Sequence, residues 1–226
     1  MSNSNIFFAH QYAMEIVPRD ASVIAVIRHG EKTPQISGQD PDFRMLTEKG
    51  KSEACDLGVL LRGRIDKISH STLGRCRQTA ECMANGANIG SYETICELAH
   101  GMLVSDRVAM RGSSKKMGFP GMIDAVIAGH EIPGFLPMMP NLANLVAATF
   151  LRADRDINMN ISHDWIVHML AVSCGAINGT FSKSKVGYLE GIYLWQQHAK
   201  LLFYYKGRQG VCNDDFVRAV VTGGGL

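Results

Sequence analysis

Three short segments of the chain carry residue types suited to holding a compact oxyanion: Arg28-His29-Gly30, Ser71 through Arg75, and Ser162-His163-Asp164. A guanidinium fork matches phosphoryl oxygens well, and imidazoles beside it add further donors. A single His or Arg of this kind is ordinarily structural. Three segments that each close an apolar run with His or Arg instead point to one cationic pocket built from two arginines and two histidines.

The elements that must position these residues are legible as patterns. Ser22 to Ile27 is a continuous β-branched apolar run that stops at Arg28, which predicts a buried strand covered on both faces. Thr47 opens a helical pattern with Ala54, Leu57, Val59 and Leu61 inward and an end at Gly63. Arg64 to Ser71 predicts a second strand, and Arg75 to Asn85 a helix closed by Gly86. Asp156 to Ser162 alternates apolar and polar residues before an apolar helix from Asp164 to Val172; Tyr188 to Tyr205 predicts a strand pair turning at Gln197-His198, with a helix as the alternative. Strand–helix alternation argues for an α/β sandwich. In such sheets ligands bind outside the carboxyl ends of the strands, so all three segments should face one crevice. Residues 97–152, rich in Met, Gly and Pro, predict a mainly helical insertion that either caps the site or forms an ordinary helical layer.

Val26-Ile27-Arg28-His29-Gly30-Glu31-Lys32-Thr33-Pro34 resembles the first-strand signature of the histidine phosphatase superfamily, which includes phosphoglycerate mutases and histidine acid phosphatases. Two segments in the same order, Leu46 through Ala54 and Ser71-Thr72-Leu73-Gly74-Arg75-Cys76-Arg77-Gln78-Thr79-Ala80, resemble its next two elements, and Ser162-His163-Asp164 resembles its late His-Asp pair. The resemblance implies a phosphoglycerate mutase-like fold: a three-layer sandwich with a mostly parallel central sheet, helices on both faces and a small helical cap, in a single domain spanning 1–226. It also implies His29 as a nucleophile that becomes phosphohistidine, with Arg28, Arg75 and His163 binding the phosphoryl oxygens, and no metal or other cofactor.

Asp164 beside His163 follows the acid phosphatase pattern, where that Asp is the proton donor. Capping of the following helix is its other ordinary role. Glu97-Leu98-Ala99-His100-Gly101 partly matches the mutase pattern and makes Glu97 the rival donor. Lys32 stands where the acid phosphatase pattern has a second Arg, keeping the charge but losing the fork. The expected activity is hydrolysis of a small phosphate ester. A mutase-type phosphoryl transferase and a non-catalytic phosphate-binding module are the alternatives.

Composition sets the remaining bounds. The chain has 226 residues, is 46% hydrophobic and 19% charged, and balances 23 Lys+Arg against 21 Asp+Glu for a net +2. That is the composition of one globular domain and gives no global reason to bind nucleic acid or an anionic membrane. No apolar stretch is long enough to span a bilayer, and Met1 to Ile16 does not read as a signal peptide. The six scattered cysteines are expected to be reduced, in a cytoplasmic protein. In the 97–152 stretch Arg107, Arg111, Lys115 and Lys116 lie among several methionines, and the apolar segment around Phe135 offers a surface for pairing two copies.

Overall fold

The computed structural model describes residues 3–99, 102–153 and 155–223. In chain order the elements are α1 (Asn3–Ile16), β1 (Val23–Arg28), α2 (Glu48–Leu60), β2 (Ile65–His70), α3 (Gly74–Ala87), β3 (Glu93–Thr94), α4 (Arg107–Met117), α5 (Phe119–Ile127), α6 (Met138–Phe150), β4 (Ile157–Ser162), α7 (Asp164–Ser173), β5 (Gly191–Gln197), β6 (Lys200–Tyr205), β7 (Arg208–Val211) and α8 (Asp214–Thr222). The strands form one sheet in the order β3-β2-β4-β1-β5-β6-β7. The sheet is mixed: β3, β2, β4 and β1 pair in parallel, while β5, β6 and β7 continue it as an antiparallel meander. The strand pair expected before Tyr205 is the β5–β6 hairpin, turning on His198 and Ala199 with φ of 50° and 58°.

Continuous apolarity of β1 has its reason in the layers. Successive side chains of a strand point to opposite faces. Val23, Ala25 and Ile27 enter a core with Ala13 of α1, Leu57 of α2 and Met83 of α3. Ile24 and Val26 enter the opposite core with Met122, Leu142, Val146, Ile166, Leu170 and Phe216. The three-layer sandwich follows, with α1 to α3 on one face and α4 to α8 on the other. Residues 97–152 thus supply much of the second helical layer. Met110 and Met122 are core filler there, and Phe135 is half-buried with its ring edge-on to Trp165, 6.2 Å between centroids.

Three local expectations change. The polar side of β4 does not face solvent: Asn158, Asn160 and Ser162 are fully buried, their side chains donating to the carbonyls of Thr149, Asn158 and Leu98. α3 does not stop at Gly86 but runs on to a left-handed Asn88, φ 62°. Gly86 is instead a packing glycine, since a Cβ there would lie 2.0 Å from the carbonyl oxygen of Cys55 on α2. α2 ends at Leu60, before Gly63, and Val59 is half exposed rather than inward. Gly118-Phe119-Pro120-Gly121 opens α5, with Pro120 in the first turn where its missing N–H costs nothing. The Gly-rich tail beyond Gly223 lies outside the described residues.

Candidate active site

Parallel register brings the three segments together. Arg28 pairs with Ser162 and Ile161 with His70, so β1, β4 and β2 end side by side at one sheet edge. The His29 N–H donates to the Ser162 carbonyl at 3.0 Å, which ties the first segment to the third. Behind them α2 and α3 approach closely. A Cβ on Gly50 would lie 2.2 Å from the Glu31 carbonyl oxygen, and Thr79 Oγ1 accepts from the Gly30 N–H at 3.0 Å. The loop after β1 is therefore fixed by both helix N-terminal regions. Thr47 caps α2 through Gly50 N–H, as its position before the helical pattern predicts.

His29 is 1% exposed, and its two nitrogens have different jobs. Nδ1 lies 2.8 Å from the Gly30 carbonyl, which can only accept, so Nδ1 carries the proton. Nε2 is then a lone pair, and it accepts from Arg75 Nε at 3.1 Å. Burial first, then the Arg75 charge, with smaller contributions from Lys32 and Arg28, hold this imidazole well below its ordinary 6.5, against the opposing Gly30 carbonyl. The ring is neutral, with a free electron pair directed into a cationic cluster.

Around it, Arg28 Nη2 pairs with Asp164 Oδ2 at 3.1 Å, and Nη1 donates to the Val186 carbonyl at 2.6 Å. The guanidinium carbon sits 4.1 Å above the Tyr188 ring. His163, 2% exposed, lies edge-on to His29 with centroids 5.7 Å apart, and its Nε2 is 3.0 Å from Ser71 Oγ. Asp164 begins α7, and its Oδ1 accepts from Trp165 N–H. Lys32 is pulled down to about 8 by burial first, then by Arg75, Arg44 and Arg28, with Asp164 opposing. Cys76 Sγ is within 4.0 Å of both His163 nitrogens, but burial pushes its thiol up to about 12. It is a neutral donor, not a rival nucleophile.

The structure thus brings Arg28, His29, Lys32, Arg75, His163 and Asp164 into one cluster. Glu97 lies in the short helix Cys96–Leu98, half-buried, next to Leu98, whose carbonyl accepts from Ser162 Oγ at 2.7 Å. It flanks the same strand end; His100 and Gly101 of its partial motif lie outside the described residues. Arg107 and Arg111 of α4 pair with Asp42 and Asp40, across the loop whose Pro41 and Asp42 carbonyls accept from Arg75 Nη1. Tyr188 and Arg44 escaped the sequence reading, since neither falls in a motif; Thr79 lay inside one, with no role assigned to it. Among the described residues no three His, Cys, Asp or Glu side chains are grouped to hold a metal, and no helix is long and apolar enough to cross a membrane. All six cysteines are free thiols.

Residues 24–107 match the family model of the histidine phosphatase superfamily, branch 1. The match includes His29, Lys32, Arg75 and Glu97 and ends before the His163-Asp164 pair, which resembles the acid phosphatase branch. No curated protein matches the sequence. Among solved structures, the chain is similar to a mycobacterial glucosyl-3-phosphoglycerate phosphatase, with a TM-score of 0.54 and 15% identity over 84% of this chain and 97% of that one. It is also similar to phosphoserine phosphatase from Entamoeba histolytica, with a TM-score of 0.54 and 17% identity over 85% and 97% of the two chains. A structure described as mycobacterial hydrolase 2 gives a TM-score of 0.54 and 15% identity over 90% and 98%. At these identities the likeness is one of fold.

Proposed function

We propose that the chain is a member of the histidine phosphatase superfamily, whose family model matches residues 24–107, and that it hydrolyses small phosphate monoesters without a metal, through a phosphohistidine on His29. The observation that carries this reading is the His29 tautomer: Nδ1–H is engaged by Gly30, and the Nε2 lone pair faces Arg75 inside a cluster of cations. Attack by Nε2 on phosphorus forms the N–P bond as the ester P–O bond breaks in line. Arg75 Nε, released from the imidazole, moves its donor to a phosphoryl oxygen. Arg28, Lys32 and His163 bind the other oxygens and offset the negative charge of the transition state.

Asp164 is the proposed proton donor to the departing alkoxide. Once ionised, it takes the proton of the water that attacks phosphohistidine and releases inorganic phosphate. Its carboxyl group, 3.1 Å from Arg28 Nη2, lies beside a group assigned to the phosphoryl oxygens. Of residues 97–152, α4 reaches the rim of this site, its Arg107 and Arg111 pairing with the 40–42 loop whose carbonyls accept from Arg75.

The test is turnover of p-nitrophenyl phosphate in EDTA by wild type and His29→Ala. Activity that survives the chelator and falls at least ~1,000-fold in the variant is expected for loss of a covalent nucleophile. Activity abolished by EDTA, or retained by His29→Ala, contradicts the reading. Replacing p-nitrophenyl by an alkyl phosphate separates the two carboxylates, because a poor leaving group depends on the acid. Asp164→Asn should lose about tenfold more activity on the alkyl ester than on the aryl ester, and Glu97→Gln should lose equally on both.

A further inference from the structure

α1 contributes nothing to the cation cluster, yet it sends one buried side chain to the segment on which Arg28 rests. His10 is 3% exposed. Its Nε2 lies 2.9 Å from the Leu189 carbonyl and its Nδ1 2.5 Å from Tyr193 Oη. The carbonyl can only accept, so Nε2 carries the proton and Nδ1 accepts from the tyrosine hydroxyl. Burial, opposed by the Leu189 bond and Glu190, lowers this imidazole to about 4, so it stays neutral and keeps this tautomer at physiological pH.

The residue it grips is unusual. Leu189 has φ 60°, a left-handed conformation that a branched side chain holds only where its surroundings impose it. Its N–H donates to the carbonyl oxygens of Arg28, at 3.1 Å, and His29, at 3.4 Å. On either side of Leu189 the chain returns to Arg28 again. The Arg28 N–H donates to the Glu190 carbonyl at 2.8 Å, the Val186 carbonyl accepts from Arg28 Nη1, and the Tyr188 ring lies under the guanidinium and 6.0 Å from the His29 ring. One short segment thus sets both the backbone and the side chain of Arg28, and His10 fixes its middle.

We propose that His10 is a positioning residue, which orients the Arg28 guanidinium for oxyanion binding by locking Leu189 through its Nε2–H bond. The inference rests on the phosphatase reading of the cluster, but it is tested by binding as well as by turnover. Orthovanadate, a phosphate-like anion, is titrated calorimetrically into wild type, His10→Ala, Arg28→Ala and the double variant, with circular dichroism checking the fold.

His10→Ala should weaken vanadate binding and lower kcat/KM for p-nitrophenyl phosphate about tenfold, as expected when a phosphate-binding group is displaced. In the Arg28→Ala background the same change should have almost no further effect, because the group it positions is already gone. His10→Gln, whose amide N–H can reach the Leu189 carbonyl, should recover most of the loss; His10→Asn, with its amide nearer the backbone, should not. Tyr193→Phe leaves the Nε2–H bond in place and should stay within about threefold of wild type.

If His10→Ala fails to fold, the Gln and Asn variants carry the comparison. A folded His10→Ala that binds vanadate as wild type does, or equal losses in both backgrounds, overturns the inference and leaves hydrolysis untouched. Vanadate binding that depends on His10, in a wild type that hydrolyses no ester, supports the inference and overturns the hydrolase reading instead. A wild type that binds no vanadate overturns both.

Discussion

The competence of the proposed nucleophile rests on where its one N–H proton and its one lone pair are fixed. With Nδ1–H held by Gly30, the proposed attack by His29 uses the neutral ring, which burial first and then the neighbouring cations keep neutral. Its protonation lies well below 6.5, so activity should persist to acid pH without an inflection near 6.5; a loss of kcat/KM centred there contradicts the geometry. Lys32 sets the other limit. Burial and the Arg75, Arg44 and Arg28 charges lower it to about 8, so it is charged below that pH and neutral above it. In the free enzyme kcat/KM should therefore fall as pH rises through about 8, through a rise in KM, and Lys32→Arg should remove that limb because a guanidinium stays charged. A limb unchanged in Lys32→Arg removes Lys32 from phosphate binding. His29, Arg28, Arg75, His163 and Asp164 were legible because each sits in a short motif at a strand end or helix start. Tyr188 and His10 were not, since their roles depend on a loop and an N-terminal helix meeting β1 from distant parts of the sequence.

Between residue and molecule stand the elements that hold the loop after β1. Thr79 of α3 satisfies the buried Gly30 N–H, and Thr79→Val leaves that donor without its partner. The expected loss is ~1–3 kcal/mol of stability in denaturant unfolding, with kcat falling alongside as the His29-Gly30 turn loosens. A variant as stable and as active as wild type contradicts this role. The α2–α3 seam makes a separate prediction. Gly86 and Gly58 each face backbone of the other helix, with Cβ positions 2.0 Å from the Cys55 oxygen and 2.2 Å from the Met83 oxygen. Gly86→Ala should lower stability by ~1–3 kcal/mol even though alanine favours helix, because the overlap falls on backbone that cannot rotate away. An unchanged or raised Tm contradicts the close approach. Gly86 resembles a helix stop in the sequence for a physical reason: glycine serves as a C-terminal signal and as a packing contact, and only the partner helix distinguishes the two. The alternation in β4 misled similarly, because buried carbonyls stand in for water along its polar face.

At the scale of the whole molecule, strand order does the assembling. β2, β4 and β1 are neighbours and parallel, so three segments separated by dozens of residues end at one edge. A net charge of +2 conceals this, since Arg28, Lys32, Arg44 and Arg75 gather there while charges elsewhere nearly cancel. The sandwich was legible from apolar runs and helix starts. β7, α1 and α8 were not, because their ordering depends on the sheet and helices they pack against. The central claim is covalent transfer to His29, and rapid acid-free denaturation during turnover of a 32P-labelled ester tests it most directly. A labelled protein whose phosphate is acid-labile and alkali-stable, mapping to His29 and absent in His29→Ala, is the predicted result. Turnover with no labelled protein, or with label on a residue other than His29, contradicts it.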